Sequence, residues 1–181
     1  TKVLRAYYYF DLLRFFKNIP LLLDPLSLES MYGVPQVPPA EVYAQIEKDL
    51  TEAIAEPNLP DQVAVATDGG RVTKGVAHAL LGKVYLYQQK WAQAVTEFQE
   101  VNGATPGGVS AKYGYQLLAN FGDLWKSTPA SKFNSESIFE VSHSATSAGN
   151  WDCVSCTEGN VLGVMVGPRA YTPKTTTAPD Y

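Results

Sequence analysis

The feature that most constrains this chain is the stretch "LLGKVYLYQQKWAQAVTEFQEVNGATP", residues 80–106. Leu81, Gly82 and Tyr85 sit on one predicted helix, with Ala94 and Phe98 on the next and Pro106 at its exit. Thr73 is placed to cap the first of these helices by accepting a hydrogen bond from a free first-turn N–H, and that helix runs to about Gln89. The second begins near Trp91 and carries Val95, Phe98 and Val101 at helical spacing, with Ala94 as a small contact point. A glycine inside a helix costs about 1 kcal/mol relative to alanine. Gly82 therefore predicts a partner helix that comes too close to leave room for a side chain.

This register is that of a tetratricopeptide repeat, with one position changed: His78 stands where the leading Trp belongs. His78 is expected to fill that place as a packing residue, because the sequence sets no second titratable group beside it. Residues 3–55 read as an earlier copy, since Ile46, Leu50 and Ala53 repeat the spacing of Ala94, Phe98 and Val101. Its first helix, Val3 to Phe16, carries two apolar stripes, Leu4/Tyr8/Leu12/Phe15 and Val3/Ala6/Phe10/Leu13, which predict neighbours on two sides. The three consecutive tyrosines lie about 100° apart around that helix and cannot form one stacking platform, so Tyr8 is expected to pack in the core. Its second helix covers "AEVYAQIEKDLTEAIAE" and stops at Pro57. Between the two lies a proline-rich insertion at about residues 18–39, whose five prolines argue against regular structure. The fold class is thus mainly α: two tetratricopeptide-like helix pairs over residues 3–106, with long loops and a few short strands.

Residues 107–181 form a loop-rich region, with a brief helix at "NFGDLWKS" and a short strand near residues 138–142 that puts Phe139 and Val141 on one side. Solenoid repeats bury their faces against one another and usually need at least three copies. Two are visible, and the helical pattern starts almost at Thr1, so the chain reads as a fragment of a longer one.

Charge narrows the function classes. With 14 basic and 18 acidic residues the net charge is −4, and no Lys/Arg cluster tracks a phosphate backbone, which argues against nucleic acid. Arg5, Asp11 and Arg14 interrupt the longest apolar run, so no segment reads as membrane-spanning. Cys153 and Cys156 form a lone C-x-x-C without the second ligand pair of a structural zinc site or a thioredoxin-like context, and read as a local disulfide or two inert thiols. Glu136 and Glu140, four apart on a strand, would stand roughly 13 Å apart, too far for glycoside hydrolysis. No catalytic or metal-binding constellation is left.

In order, "LRAYYYFDLLRFFKNIPLL", "EVYAQIEKDLTEAI", "GRVTKGVAHALLGKVYLYQQKWAQAV", "YQLLANFGDLW" and "NSESIFEVSHS" resemble the SusD/RagB family of outer-membrane nutrient-binding lipoproteins over roughly residues 3–143. The resemblance implies that residues 1–181 are part of a single SusD-like domain. It also implies a non-catalytic protein without a cofactor, lipid-anchored at the outer-membrane surface of Bacteroidetes-type bacteria. Such a protein captures oligosaccharides for uptake through a partner SusC-like TonB-dependent transporter. Peptide capture in the manner of RagB, or a tetratricopeptide scaffold for protein partners, are the alternatives. The resemblance further pairs Arg71 with Asp49 as a structural ion pair and places ligand contacts on loops beyond the repeats. There, Trp151 offers an aromatic platform flanked by Asn150 and Asp152, with Arg169 and Tyr171 in the same region, and sugars are held by such aromatic faces and polar side chains. The competing reading has Trp151 anchoring the tail onto the helices. Trp91 and Trp125, at helical spacing with apolar neighbours, are assigned to the core.

Overall fold

A computed structural model describes residues 1–27, 30, 32–105, 107–126 and 131–141. The elements run α1 (Lys2–Phe16), β1 (Ile19–Pro20), β2 (Gln36–Val37), α2 (Pro39–Ala55), α3 (Val65–Asp68), α4 (Lys74–Tyr87) and α5 (Trp91–Asn102), then a 3₁₀ turn at Phe121–Trp125. By contacts the chain divides into two units, Thr1–Glu140 and Val141–Tyr181, and every one of these elements belongs to the first.

Helices α1, α2, α4 and α5 stack in that order, each against the next. The first pair is antiparallel, since Lys2 reaches Glu52 while Arg5 reaches Asp49. Val3, Ala6, Phe10 and Leu13 of α1 meet Val42, Ile46, Leu50 and Ala53 of α2 and Val76, Ala77, Leu81 and Val84 of α4 in one buried core. The helix boundaries follow local chemistry. Pro39 starts α2 at its first turn, where a missing N–H costs nothing, and Pro57 lies just past its end. Thr73 caps α4, its Oγ1 accepting from Val76 N–H at 3.4 Å, as the sequence predicts. The three residues between α4 and α5 force an antiparallel hairpin, and a Cβ on Gly82 would lie 2.7 Å from the Phe98 ring. The glycine is the close-approach device expected of it.

The insertion between α1 and α2 is more ordered than its prolines imply. Ile19 pairs with Val37 and Pro20 with Gln36 in a two-residue antiparallel bridge that closes the insertion at its base. Tyr9 clamps it from α1, its hydroxyl accepting from Leu22 N–H and donating to Leu22 C=O, both at 2.7 Å. A two-residue edge tolerates Pro20 because few ladder bonds are asked of it.

Three expectations about packing are corrected. Only the Val3/Ala6/Phe10/Leu13 stripe of α1 is buried; Tyr8 is 62% and Phe15 77% exposed, because α2 and α4 both lie on the Phe10 side. Trp91 and Trp125 are exposed rather than core: α5 packs on α4 through Ala94 and Val101, and the indole of Trp125 stands on the outside of its 3₁₀ turn. No strand forms over 138–141. Ser137 N–H donates to Asn134 C=O in a tight turn, Ile138 and Phe139 pack consecutively against the helical core, and Val141 is exposed. A run that packs two neighbouring side chains on the core gives up the alternation a ladder requires.

Candidate functional site

The helical stack provides fixed side chains for its own cohesion first. Asp49 of α2 is fully buried, and its carboxylate accepts from Arg5 Nε at 2.7 Å, Arg5 Nη2 at 2.6 Å and Gln45 Nε2 at 2.9 Å. The Asp49 hydrogen bond raises the Arg5 guanidinium above its ordinary value, partly offset by burial. The expected Arg71–Asp49 pair is therefore replaced by Arg5–Asp49, while Arg71 bonds Asp68 on its own loop at 2.8 Å. Geometry explains the exchange: antiparallel packing brings Arg5 of α1 directly across from Asp49.

Of the repeat residues, Gly82 and Phe98 meet at the α4–α5 seam, Leu81 and Tyr85 pack in the helical core, Ala94 is buried on α5, and Pro106 lies outside the described residues. His78 is not without a partner, contrary to expectation. Its Nδ1 lies 2.7 Å from Glu97 Oε2 on α5, and its ring is 5.5 Å from that of Tyr113. A largely buried imidazole needs a polar partner, and α5 supplies it. The signal in the sequence was Glu97, one position before Phe98 in the repeat register.

Two features face outward. The first is an aromatic pair: Phe121 and Trp125 lie edge to face at 6.1 Å, 71% and 76% exposed, with Asn120, Asp123 and Lys126 beside them. Exposed rings flanked by hydrogen-bonding groups are chemically suited to the C–H faces and hydroxyls of a sugar.

The second is a cavity of about 260 Å³ between residues 61–73, 113–115 and 133–140. Its walls are locked by local bonds. Gln62 Nε2 donates to Lys112 C=O at 2.8 Å, and the Tyr115 hydroxyl lies 3.3 Å from Thr73 Oγ1. Burial raises the Tyr115 hydroxyl above the usual phenol range, with the Thr73 hydrogen bond opposing it. The Phe133 ring lies over bare backbone at Gly69, where a Cβ would stand 2.9 Å from the ring; Gly70 beside it adopts φ +84. Phe133 itself has φ 51, and its N–H is held by Glu140 Oε2 at 3.0 Å.

Glu140 also accepts from Ser137 Oγ at 2.9 Å, and Glu136 accepts from Leu118 N–H at 2.7 Å. Both carboxylates are thus engaged in holding loops. Among the described residues no group of three or more His, Cys, Asp or Glu side chains is placed to hold a metal ion, and no helix is long and apolar enough to cross a membrane. Asn150, Trp151, Asp152, Arg169 and Tyr171, with Cys153 and Cys156, lie outside the described residues.

The relationships of the chain agree with this architecture. A family model described as SusD-like, "Starch-binding associating with outer membrane", matches residues 2–86. A SusD-like protein of Formosa agariphila is 22% identical over 84% of this chain and 26% of its own length. One of Bacteroides ovatus is 28% identical over 70% and 22%, respectively. Among solved structures, a laminarin-binding SusD-like protein is 50% identical and superposes with a TM-score of 0.84, covering 99% of this chain and 38% of that one. Surface glycan-binding protein A of Bacteroides uniformis is 27% identical with a TM-score of 0.62, covering 77% of this chain and 27% of its own. The chain thus spans about a quarter of the curated relatives it matches. Sharing half its residues with one SusD-like protein along nearly its whole length, and the same backbone path with more distant ones, this chain belongs to the SusD-like family.

Proposed function

We propose that this chain is part of a non-catalytic surface protein that captures glycans of the laminarin class and delivers them for uptake. The observation that carries the reading is the 50% identity to a laminarin-binding SusD-like protein over 99% of the chain. An outer-membrane location agrees with the description of the matching family model. A surface lipoprotein anchor and a SusC-like TonB-dependent transporter as receiving partner complete the proposal.

In this reading the helices are scaffold and recognition is carried by residues outside them. Trp151 stacks on a sugar face while Asn150, Asp152, Arg169 and Tyr171 bond its hydroxyls, and the exposed Phe121–Trp125 pair offers an aromatic surface of its own. The chemistry supports binding over turnover, since Glu136 and Glu140 are both spent on loop hydrogen bonds. Affinity electrophoresis tests the proposal: migration of the chain through a native gel is expected to slow when laminarin is included and to be unaffected by dextran. Trp151→Ala is expected to restore most of the mobility without lowering the melting temperature. Unretarded migration of the unaltered chain would overturn the assignment, and a lowered melting temperature with unchanged retardation would assign Trp151 to packing.

A further inference from the structure

The cavity beneath the α4 N-terminus is lined by two buried polar groups without a hydrogen-bond partner among the described residues, Asp61 Oδ1 and the Tyr113 hydroxyl. The space they line measures about 260 Å³. Leaving a buried acceptor unmet is costly, so a site of this kind calls for a donor that arrives from outside. Three other polar side chains of the wall are already satisfied: Gln62 by Ala111 and Lys112 carbonyls, Tyr115 by Thr73, and Glu140 by Phe133 N–H and Ser137.

The geometry points to a subsite for a single neutral sugar ring in this cavity, with Asp61 accepting a ring hydroxyl and Phe133, Tyr115 and Phe139 packing on the C–H faces. Three features fix that ligand class. The volume lies below the roughly 300–1,000 Å³ that larger ligands occupy, which suits one ring and not a chain. The lining combines aromatic side chains with a few converging polar groups, the composition such sites require. A cationic ligand is disfavoured because Asp61 already has a positive neighbour: the Lys112 ammonium is raised first by the Tyr113 hydroxyl and also by the charge of Asp61. What remains unmet is a hydrogen bond, which a hydroxyl supplies without added charge.

The walls are built before the ligand arrives. Phe133 is held in a left-handed conformation by Glu140, over glycines whose missing Cβ atoms leave room for its ring. A rigid, preformed wall reduces the ordering cost of binding a small ligand. The site lies on the helical platform, separate in sequence from residues 150–171, and would take a terminal or side-branch residue of a longer glycan. It rests on the glycan-capture reading above.

The test is a titration of the ¹⁵N-labelled chain with methyl β-D-glucopyranoside, followed by amide chemical shifts, with laminarin titrated into a parallel sample. Saturable shifts are expected at residues 61–62, 113–115 and 133–135. Asp61→Ala is expected to weaken the glucoside at least tenfold, and Asp61→Asn, which keeps a carbonyl acceptor, to weaken it less. Because Asp61 Oδ1 holds no hydrogen bond to lose and its charged neighbour Lys112 is exposed, neither variant is expected to lower the melting temperature. Unshifted cavity amides, unchanged affinity in Asp61→Ala, or a melting temperature several degrees lower in that variant would each overturn the subsite. Laminarin binding with silent cavity amides would remove the subsite and leave glycan capture standing. Glucoside shifts at the cavity without any laminarin binding would uphold the subsite and remove the laminarin assignment.

Discussion

Asp49 is where a single side chain has most influence on this fold. Three N–H donors converge on this carboxylate, which has no exposure in the core between two helices, two from Arg5 and one from Gln45. Removing one partner of a buried pair leaves an uncompensated charge, which costs about 3–5 kcal/mol. Arg5→Ala is expected at the low end, about 3 kcal/mol in urea unfolding, because Gln45 retains its bond and the Arg5 side chain is itself partly exposed. Arg71→Ala should fall within about 0.5 kcal/mol of the unaltered chain, as surface substitutions do. Equal losses in the two variants would show that the ion pair is misassigned. That Asp49 pairs with an arginine was implied by the family resemblance; which arginine was not legible in the sequence. The choice depends on which helix face lies across from α2, and spacing along one helix does not carry that information.

At the scale of elements, the α4–α5 hairpin and the inner face of α1 hold the stack together. A methyl at Gly82 meets the Phe98 ring at 2.7 Å, so Gly82→Ala trades a gain in helix propensity for a steric clash. Overpacking typically costs about 1–3 kcal/mol, and a net loss is expected by thermal unfolding. A neutral or stabilising outcome would mean that α5 sits farther away. On α1, Phe10→Ala is expected to cost about 3–5 kcal/mol, as large-to-small changes of a buried phenylalanine do, and Tyr8→Ala under about 0.5 kcal/mol. Comparable losses would place Tyr8 in the core after all. Helical period told that both stripes of α1 are apolar, yet hydrophobicity alone does not say which of two apolar sides has a neighbour. The same limit misled the reading of 138–141, where Ile138 and Phe139 pack side by side instead of alternating. The cap at Thr73 and the glycine at Gly82 were readable because each answers a local demand: one free N–H, one close approach.

For the whole molecule, the order of helices and the split first pair were legible because they repeat a register that only stacked helices satisfy. The outward surface was less so. Trp125 looked like core at helical spacing and stands on the outside, while the Asp61 cavity is assembled from three loops whose residues share no periodic pattern. Recognition chemistry on loops leaves no regular trace in a sequence, whereas a scaffold does. The central claim is that this scaffold carries a glycan-binding surface of the laminarin class. Isothermal titration calorimetry of laminarin oligosaccharides into the chain tests it most directly. The account predicts saturable heat with a dissociation constant below about 1 mM, equivalent to about −4.1 kcal/mol or tighter. Heats indistinguishable from dilution at millimolar oligosaccharide, in a chain whose α4–α5 hairpin is folded, would contradict it.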